Sequence, residues 1–276
     1  MQLLQQKTWR YFDQSMAQYR SPLESFAMDD TLCHLIGQGM SPAVVHTWVH
    51  HPYVVLGIQD HRMPYIQDGI IALQQAGYNA IVRNSGGLAV VLDSGILNIS
   101  IVLSEAPGSI SINSGYEAML QFIKLLFPEC GDEIKAYEII GSYCPGSYDL
   151  SIDGKKFAGI SQRRLRDGVA VQIYLCIEGS GSARAELIKK MYETSLKGEL
   201  TKFQYPVIQP EVMASLSELL NKPLTVQDAV IRVQQTLHSL SEEVMYQPLM
   251  EDELEYYSFY LKRVFERNEK LLNKNA

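Results

Sequence analysis

The dipeptide Asp153-Gly154 stands between two runs of strand-forming residues, Tyr148-Asp149-Leu150-Ser151-Ile152 and Lys155-Lys156-Phe157-Ala158-Gly159-Ile160-Ser161. Asp-Gly is the preferred pair for a two-residue type I′ turn, whose twist matches that of paired antiparallel strands. The pattern therefore predicts a β-hairpin, and its simplest register sets Ser151 opposite Lys156. Lys155 and Lys156 then face opposite sides of the sheet, because side chains alternate along a strand. A third run, from Gly168 to Ile177, is apolar almost throughout. It predicts a central strand, with Cys176 in the core.

Around this β module the chain alternates helix and strand signals without a regular βαβ repeat. Ser21-Pro22-Leu23-Glu24 reads as a helix start, with serine as cap and proline in the first turn. Phe26 to Ile36 continues at helical spacing and takes Cys33 into a packed face. Two strands, from Ala43 to Val49 and from Tyr53 to Ile58, flank His50-His51-Pro52, where proline forces an extended or turning connection. Helix signals follow at Pro64 to Ala76, Ile112 to Pro128, Ala185 to Thr194 and Gln209 to Leu220, with Cys130 falling in a loop. Thr225-Val226-Gln227-Asp228 reads as a capping pattern before a helix from Ala229 to Leu240, and Met250 to Leu272 reads as an outer helix. The stretch from Ala80 to Val102 reads as strand, glycine break, strand, turn and strand. Paired glycines at Gly86-Gly87 serve either a tight turn or a close approach of backbone N–H groups to a ligand.

Composition narrows the function. The 276 residues are 46% hydrophobic and carry a formal net charge of -7, which argues against a general nucleic-acid footprint. No apolar run reaches the roughly 18 residues of a membrane span. The opening residues lack a secretory pattern, so a cytoplasmic protein is expected. Four widely spaced cysteines, with no Cys-x-x-Cys pair, predict reduced thiols and no metal site. Lys155, Lys156, Arg163, Arg164 and Arg166 form a local basic cluster, suited to an acidic partner or simply a solvated strand face. Cys144, in Ser142-Tyr143-Cys144-Pro145-Gly146-Ser147-Tyr148, differs from the other three by lying in a turn-forming segment ahead of the hairpin. Such a thiol is either a small apolar filler or, beside a cation that favours its thiolate, a nucleophile for acyl transfer. The hairpin register alone does not bring it to Lys156.

Arg83-Asn84-Ser85-Gly86-Gly87, Asp93-Ser94-Gly95-Ile96-Leu97-Asn98 and Lys156-Phe157-Ala158-Gly159, in this order and spacing, resemble the biotin/lipoate protein ligase and octanoyltransferase superfamily. The likeness spans residues 20 to 220 and includes Ala27-Met28-Asp29-Asp30. It implies an α+β fold related to class II synthetase catalytic domains, with a catalytic domain over residues 20–222 and a helical C-terminal extension over 223–276. It further implies an acyl chain lying between the Arg83-to-Gly87 loop and the Lys156 strand. Arg83, Ser85, Gly86, Gly87, Asp93, Asn98 and Gly159 become the candidate substrate-binding residues.

This chain departs from the common pattern at Val82, Leu88 and Leu92, where many relatives have basic, glycine and histidine residues. The thinning of polar groups makes ATP-dependent acyl-adenylate chemistry less expected. Cys144 falls where cysteine-dependent members place their nucleophile, and the resemblance is closest to the lipoyl amidotransferases. That implies transfer of an octanoyl or lipoyl group from a lysine of the octanoylated glycine cleavage H protein to apo lipoyl domains of 2-oxoacid dehydrogenase E2 subunits. Cys144 would carry the thioester, Lys156 would lower its pKa, and N–H groups at Gly86 and Gly87 would stabilise the oxyanion. No cofactor is implied. The alternatives are transfer from an octanoyl-acyl-carrier protein, an ATP-dependent lipoate ligase, and a noncatalytic module that binds carrier proteins.

Overall fold

Ser21 Oγ accepts the Leu23 N–H while Glu24 reaches back to the Ser21 N–H, so the expected capping box starts the first helix. The protein is described by a computed structural model covering residues 2–106 and 108–272. In chain order its elements are β1 (Thr8–Gln14), α1 (Pro22–Gly37), β2 (Ala43–Trp48), β3 (Tyr53–Leu56), α2 (Ile66–Gln75), β4 (Asn79–Val82), β5 (Val90–Leu92) and β6 (Ile96–Ser104). They continue with α3 (Ile112–Leu126), β7 (Lys135–Ala136), β8 (Asp149–Ile152), β9 (Lys155–Leu165), β10 (Gly168–Cys176), α4 (Gly181–Leu196), α5 (Leu216–Leu219), α6 (Val226–Leu240), β11 (Glu243–Met245) and α7 (Glu251–Leu272).

The strands form a large sheet in the order β11-β1-β2-β6-β10-β9-β8-β7 and a small one in the order β4-β3-β5. Strand β10 is central, antiparallel to β6 and β9, and buried along its length. A main core joins the large sheet to α3 and α6, and a second joins the small sheet to α2 and α4. The fold is thus the expected mixture of α and β with a helical C-terminal region. Among the described residues no helix is long and apolar enough to cross a membrane.

The strands on either side of His50-His51-Pro52 form as expected and enter different sheets: β2 joins β1 and β6, whereas the chain turns at Pro52 and carries β3 into the small sheet between β4 and β5. Other expectations need correction. A helix from Gln209 to Leu220 is absent. Pro210 opens a single 3-10 turn, Ala214 N–H bonds the Lys156 carbonyl across to β9, and Ser215 caps only the four residues of α5. Cys130 lies buried in a short 3-10 segment from Pro128 to Glu133 rather than in an open loop. The basic cluster is not a solvated face: Arg163 pairs with Asp30, Arg164 with Glu105, and Lys156 is fully buried while Lys155 is exposed. Strands β1 and β11 carried no sequence signal that stood out.

The hairpin pairs Ser151 with Lys156 as expected and then shifts register. Leu150 faces Ala158 and Asp149 faces Gly159, so Phe157 is the extra residue of a β-bulge.

Candidate active site

The segment between β7 and β8 folds back over the bulged end of β9, closed by a turn in which the Asp149 N–H bonds the Gly146 carbonyl at 3.0 Å. Cys144, at the tip, has φ of 47°, the left-handed region that a residue with a Cβ enters only under strain. Such a conformation costs about 1–3 kcal/mol and persists where the surroundings over-determine it. Here the surroundings are Lys156 and Asp149. Lys156 Nζ, at 0% exposure, donates to Tyr143 O at 2.9 Å, Cys144 O at 2.8 Å and Ser142 Oγ at 3.2 Å, and lies 2.9 Å from Asp149 Oδ1. Asp149 Oδ2 accepts the N–H groups of Ile139 at 3.1 Å and Gly146 at 3.2 Å. Burial pushes the Asp149 carboxyl upward against the pull of the ammonium. The buried pair therefore pins both ends of the cysteine turn.

The lysine meets the cysteine at its backbone, and the sulfur has other partners. Leu88 N–H donates to Cys144 Sγ at 3.1 Å and Arg83 Nη2 at 3.3 Å. Arg83 Nη2 also donates to Leu88 O at 2.5 Å, which folds the loop between them into a ring around the thiol. Gly87, with φ of 105°, allows this: a Cβ there would collide with Arg83 Nη2 and lie 3.0 Å from Cys144 Sγ. Arg83 Nε is buried without a partner.

The thiol opens on a pocket of about 310 Å³ between the two sheets, near the small end of ligand cavities. Phe26, Trp48, Val55, Val90, Leu92 and Ile173 give it an apolar interior, and Arg83, Ser85, Gly86, Gly87, Asn98 and Gly159 all line it. Gly159 leaves room for an aromatic wall, since a Cβ would lie 2.8 Å from the Tyr174 ring. Asp93 is not brought to the pocket: its two oxygens meet Arg184 at 2.7 Å each, and one accepts the Gly95 N–H at 2.9 Å. Among the other thiols, burial pushes Cys176 up to about 12 and Cys130 up to about 11, and Cys33 is fully buried. Among the described residues no cluster of His, Cys, Asp and Glu could hold a metal.

Sequence reasoning missed Leu88 as a thiol partner, because a backbone N–H leaves no mark on residue type. It also missed Asp149 and Ser142, although a carboxylate seven residues before a buried lysine on an adjoining strand was a usable signal.

A two-sheet α+β fold with a pocket between the sheets is that of the lipoate ligase class. The bipartite lipoate protein ligase of Thermoplasma acidophilum resembles it with a TM-score of 0.68 at 14% identity, over 96% of this chain and 95% of that one, a likeness of fold. Residues 21–238 match the lipoyl protein ligase A/B catalytic domain. The chain is 66% identical over 274 residues to octanoyl-[GcvH]:protein N-octanoyltransferase of Lysinibacillus sphaericus, covering 99% of each. It is 48% identical over 271 residues to lipoyl-[GcvH]:protein N-lipoyltransferase of Listeria monocytogenes, covering 98% of each. The chain belongs to the lipoyl protein ligase A/B catalytic domain family.

Proposed function

We propose that this protein is an acyltransferase that moves an octanoyl or lipoyl group from a lysine of the glycine cleavage H protein to a lysine on apo lipoyl domains of E2 subunits, through a thioester on Cys144. The observation that carries the reading is the half-buried thiol at the mouth of an apolar pocket, hydrogen-bonded by a guanidinium and a backbone N–H. A neighbouring cation favours the thiolate, the reactive form. The sulfur attacks the amide carbonyl carbon of the acyl-lysine, the C–N bond breaks, and the donor lysine leaves as an amine after taking a proton from solvent. The acceptor amine then attacks the thioester, the C–S bond breaks, the new amide returns a proton to solvent, and the thiolate is restored. N–H groups of the Gly86–Leu88 backbone are the candidate donors to the oxyanion, each worth about 3–4 kcal/mol when pre-organised.

In this mechanism Lys156 serves the thiol by holding the strained turn, and Arg83 supplies the positive charge that touches sulfur. Asp93 serves by fixing the turn before β6. One amide is exchanged for another, so the reaction needs no ATP and runs in both directions. Free thiols support a reducing compartment, the cytoplasm. The test is incubation with octanoylated H protein and an apo lipoyl domain without ATP, followed by intact mass. Transfer should proceed, Cys144 should gain one octanoyl group, and Cys144→Ala should do neither. An adduct that survives in Cys144→Ala, or activity that needs ATP, overturns the reading.

A further inference from the structure

Helix α7 read from sequence as an outer packing helix, yet its last turns end against the root of the loop that carries Arg83. Strand β4 is an edge strand, and its parallel pairing with β3 uses one side only. On the other side Val82 N–H donates to Asn268 Oδ1 at 2.9 Å, and the carbonyl of the following residue, Arg83, accepts from Arg267 Nη1 at 2.7 Å. Two successive helix residues thus hold one backbone group on each of two successive strand-end residues. From there the Arg83 side chain runs buried to the Cys144 sulfur. The helix is itself anchored far from this point, by a buried pair between Glu253 and Arg10 of β1 at 2.8 Å and by Tyr260 OH on His34 of α1 at 2.9 Å. Its 22 residues span about 33 Å, so it carries the position of the large sheet to the small one.

We propose that Arg267 and Asn268 are positioning residues of the transfer site, holding the Arg83 guanidinium on the Cys144 sulfur from behind the small sheet. The proposal rests on Cys144 as the acyl carrier. Asn268 is buried, and without it the Val82 N–H is a buried donor with no acceptor. The backbone at Val82 relieves that by shifting, and a hydrogen bond of 3.3 Å at the far end of the long side chain of the next residue does not survive such a shift.

The test uses the full chain with Arg267→Ala and Asn268→Ala, and Lys270→Ala, exposed on the same stretch of helix, as control. Alkylation of Cys144 by iodoacetamide, followed by intact mass, should slow about tenfold at neutral pH in both variants, the size of one charge-assisted hydrogen bond lost. The control should match the parent chain. The difference should vanish at high pH, where every variant presents thiolate. Arg267→Lys and Asn268→Asp, which keep the donor and the acceptor, should recover most of the rate. Transfer should lose kcat with donor KM held within about twofold. Unchanged alkylation in Arg267→Ala, or slowing by the same factor at every pH, overturns the proposal. If Asn268→Ala fails to fold, Arg267→Ala decides, because it orphans no buried N–H. Alkylation needs no acyl donor: a normal response to these variants with no octanoyl adduct would sink the acyl-carrier reading alone.

Discussion

Lys156→Met keeps an unbranched side chain, one atom shorter, and deletes the ammonium. Asp149 is then left as a buried carboxylate whose remaining partners are two backbone N–H groups and a hydroxyl, and the carbonyls of Tyr143 and Cys144 lose their shared donor. Removing one partner of a buried ion pair costs about 3–5 kcal/mol. At about 2–4 °C per kcal/mol for a chain of this size, the melting temperature should fall by about 6–20 °C. Urea unfolding measures the loss directly. Adding Asp149→Asn to Lys156→Met should recover a substantial part of it, because the uncompensated charge goes too. Lys155→Ala, one residue away and exposed, should stay within about 0.5 kcal/mol of the parent. If Lys156→Met loses less than about 1 kcal/mol while transfer collapses, the lysine acts on the sulfur itself and the brace is refuted.

Gly87→Ala should abolish transfer by about a hundredfold or more while the chain still folds, since the added methyl meets Arg83 and reaches the thiol; activity within tenfold of the parent would refute the packing argument. Two buried groups set opposing pH dependences of stability. Burial lowers His50 from 6.5 to about 4, so the unfolded chain binds more protons between these values and stability falls, by up to about 3 kcal/mol, as pH drops through that window. Burial raises Asp60 from 3.8 to about 6, so here the folded chain binds more protons and stability falls by a similar amount as pH rises from about 4 to 6. The parent chain should therefore be nearly flat from these groups between pH 4 and 6. Unfolding of Asp60→Asn measured across that range should expose the His50 slope, stability rising with pH; a flat profile would reject the pairing.

What could be read from residues was what local chemistry dictates. The Asp153-Gly154 turn, the caps at Ser21 and Thr225, and the unbroken apolar run of β10 each carry their own reason. Where the outcome depends on a partner distant in sequence, the reading failed or stopped. Pro52 marks a turn, but which sheet β3 joins is decided by β4 and β5. A short segment such as β11 is a strand because β1 offers it an edge. At the site, residue types raised Cys144 and the family resemblance raised the Arg83–Gly87 loop, and Cys144, Arg83, Ser85, Gly86 and Gly87 line the pocket. The division of labour between cations was not legible, because Lys156 and Arg83 reach the cysteine from different elements, one at its carbonyl and the other at its sulfur.

The bulge at Phe157 gives the spacing of Lys156-Phe157-Ala158-Gly159 a meaning of its own. Along a regular strand, residues three apart have opposite parity and look to opposite sides of the sheet. The extra residue resets the count, so that Ser151 faces Lys156 and Asp149 faces Gly159 in one phase. A Cβ on Gly159 would accordingly lie 3.6 Å from Lys156 Cε. The one-residue slip thus puts the buried ammonium, its carboxylate and the bare wall of the pocket on a single side. The same four residues in a regular strand, with Phe157 paired in turn, would send the glycine to the other side and leave the lysine without a pocket to serve.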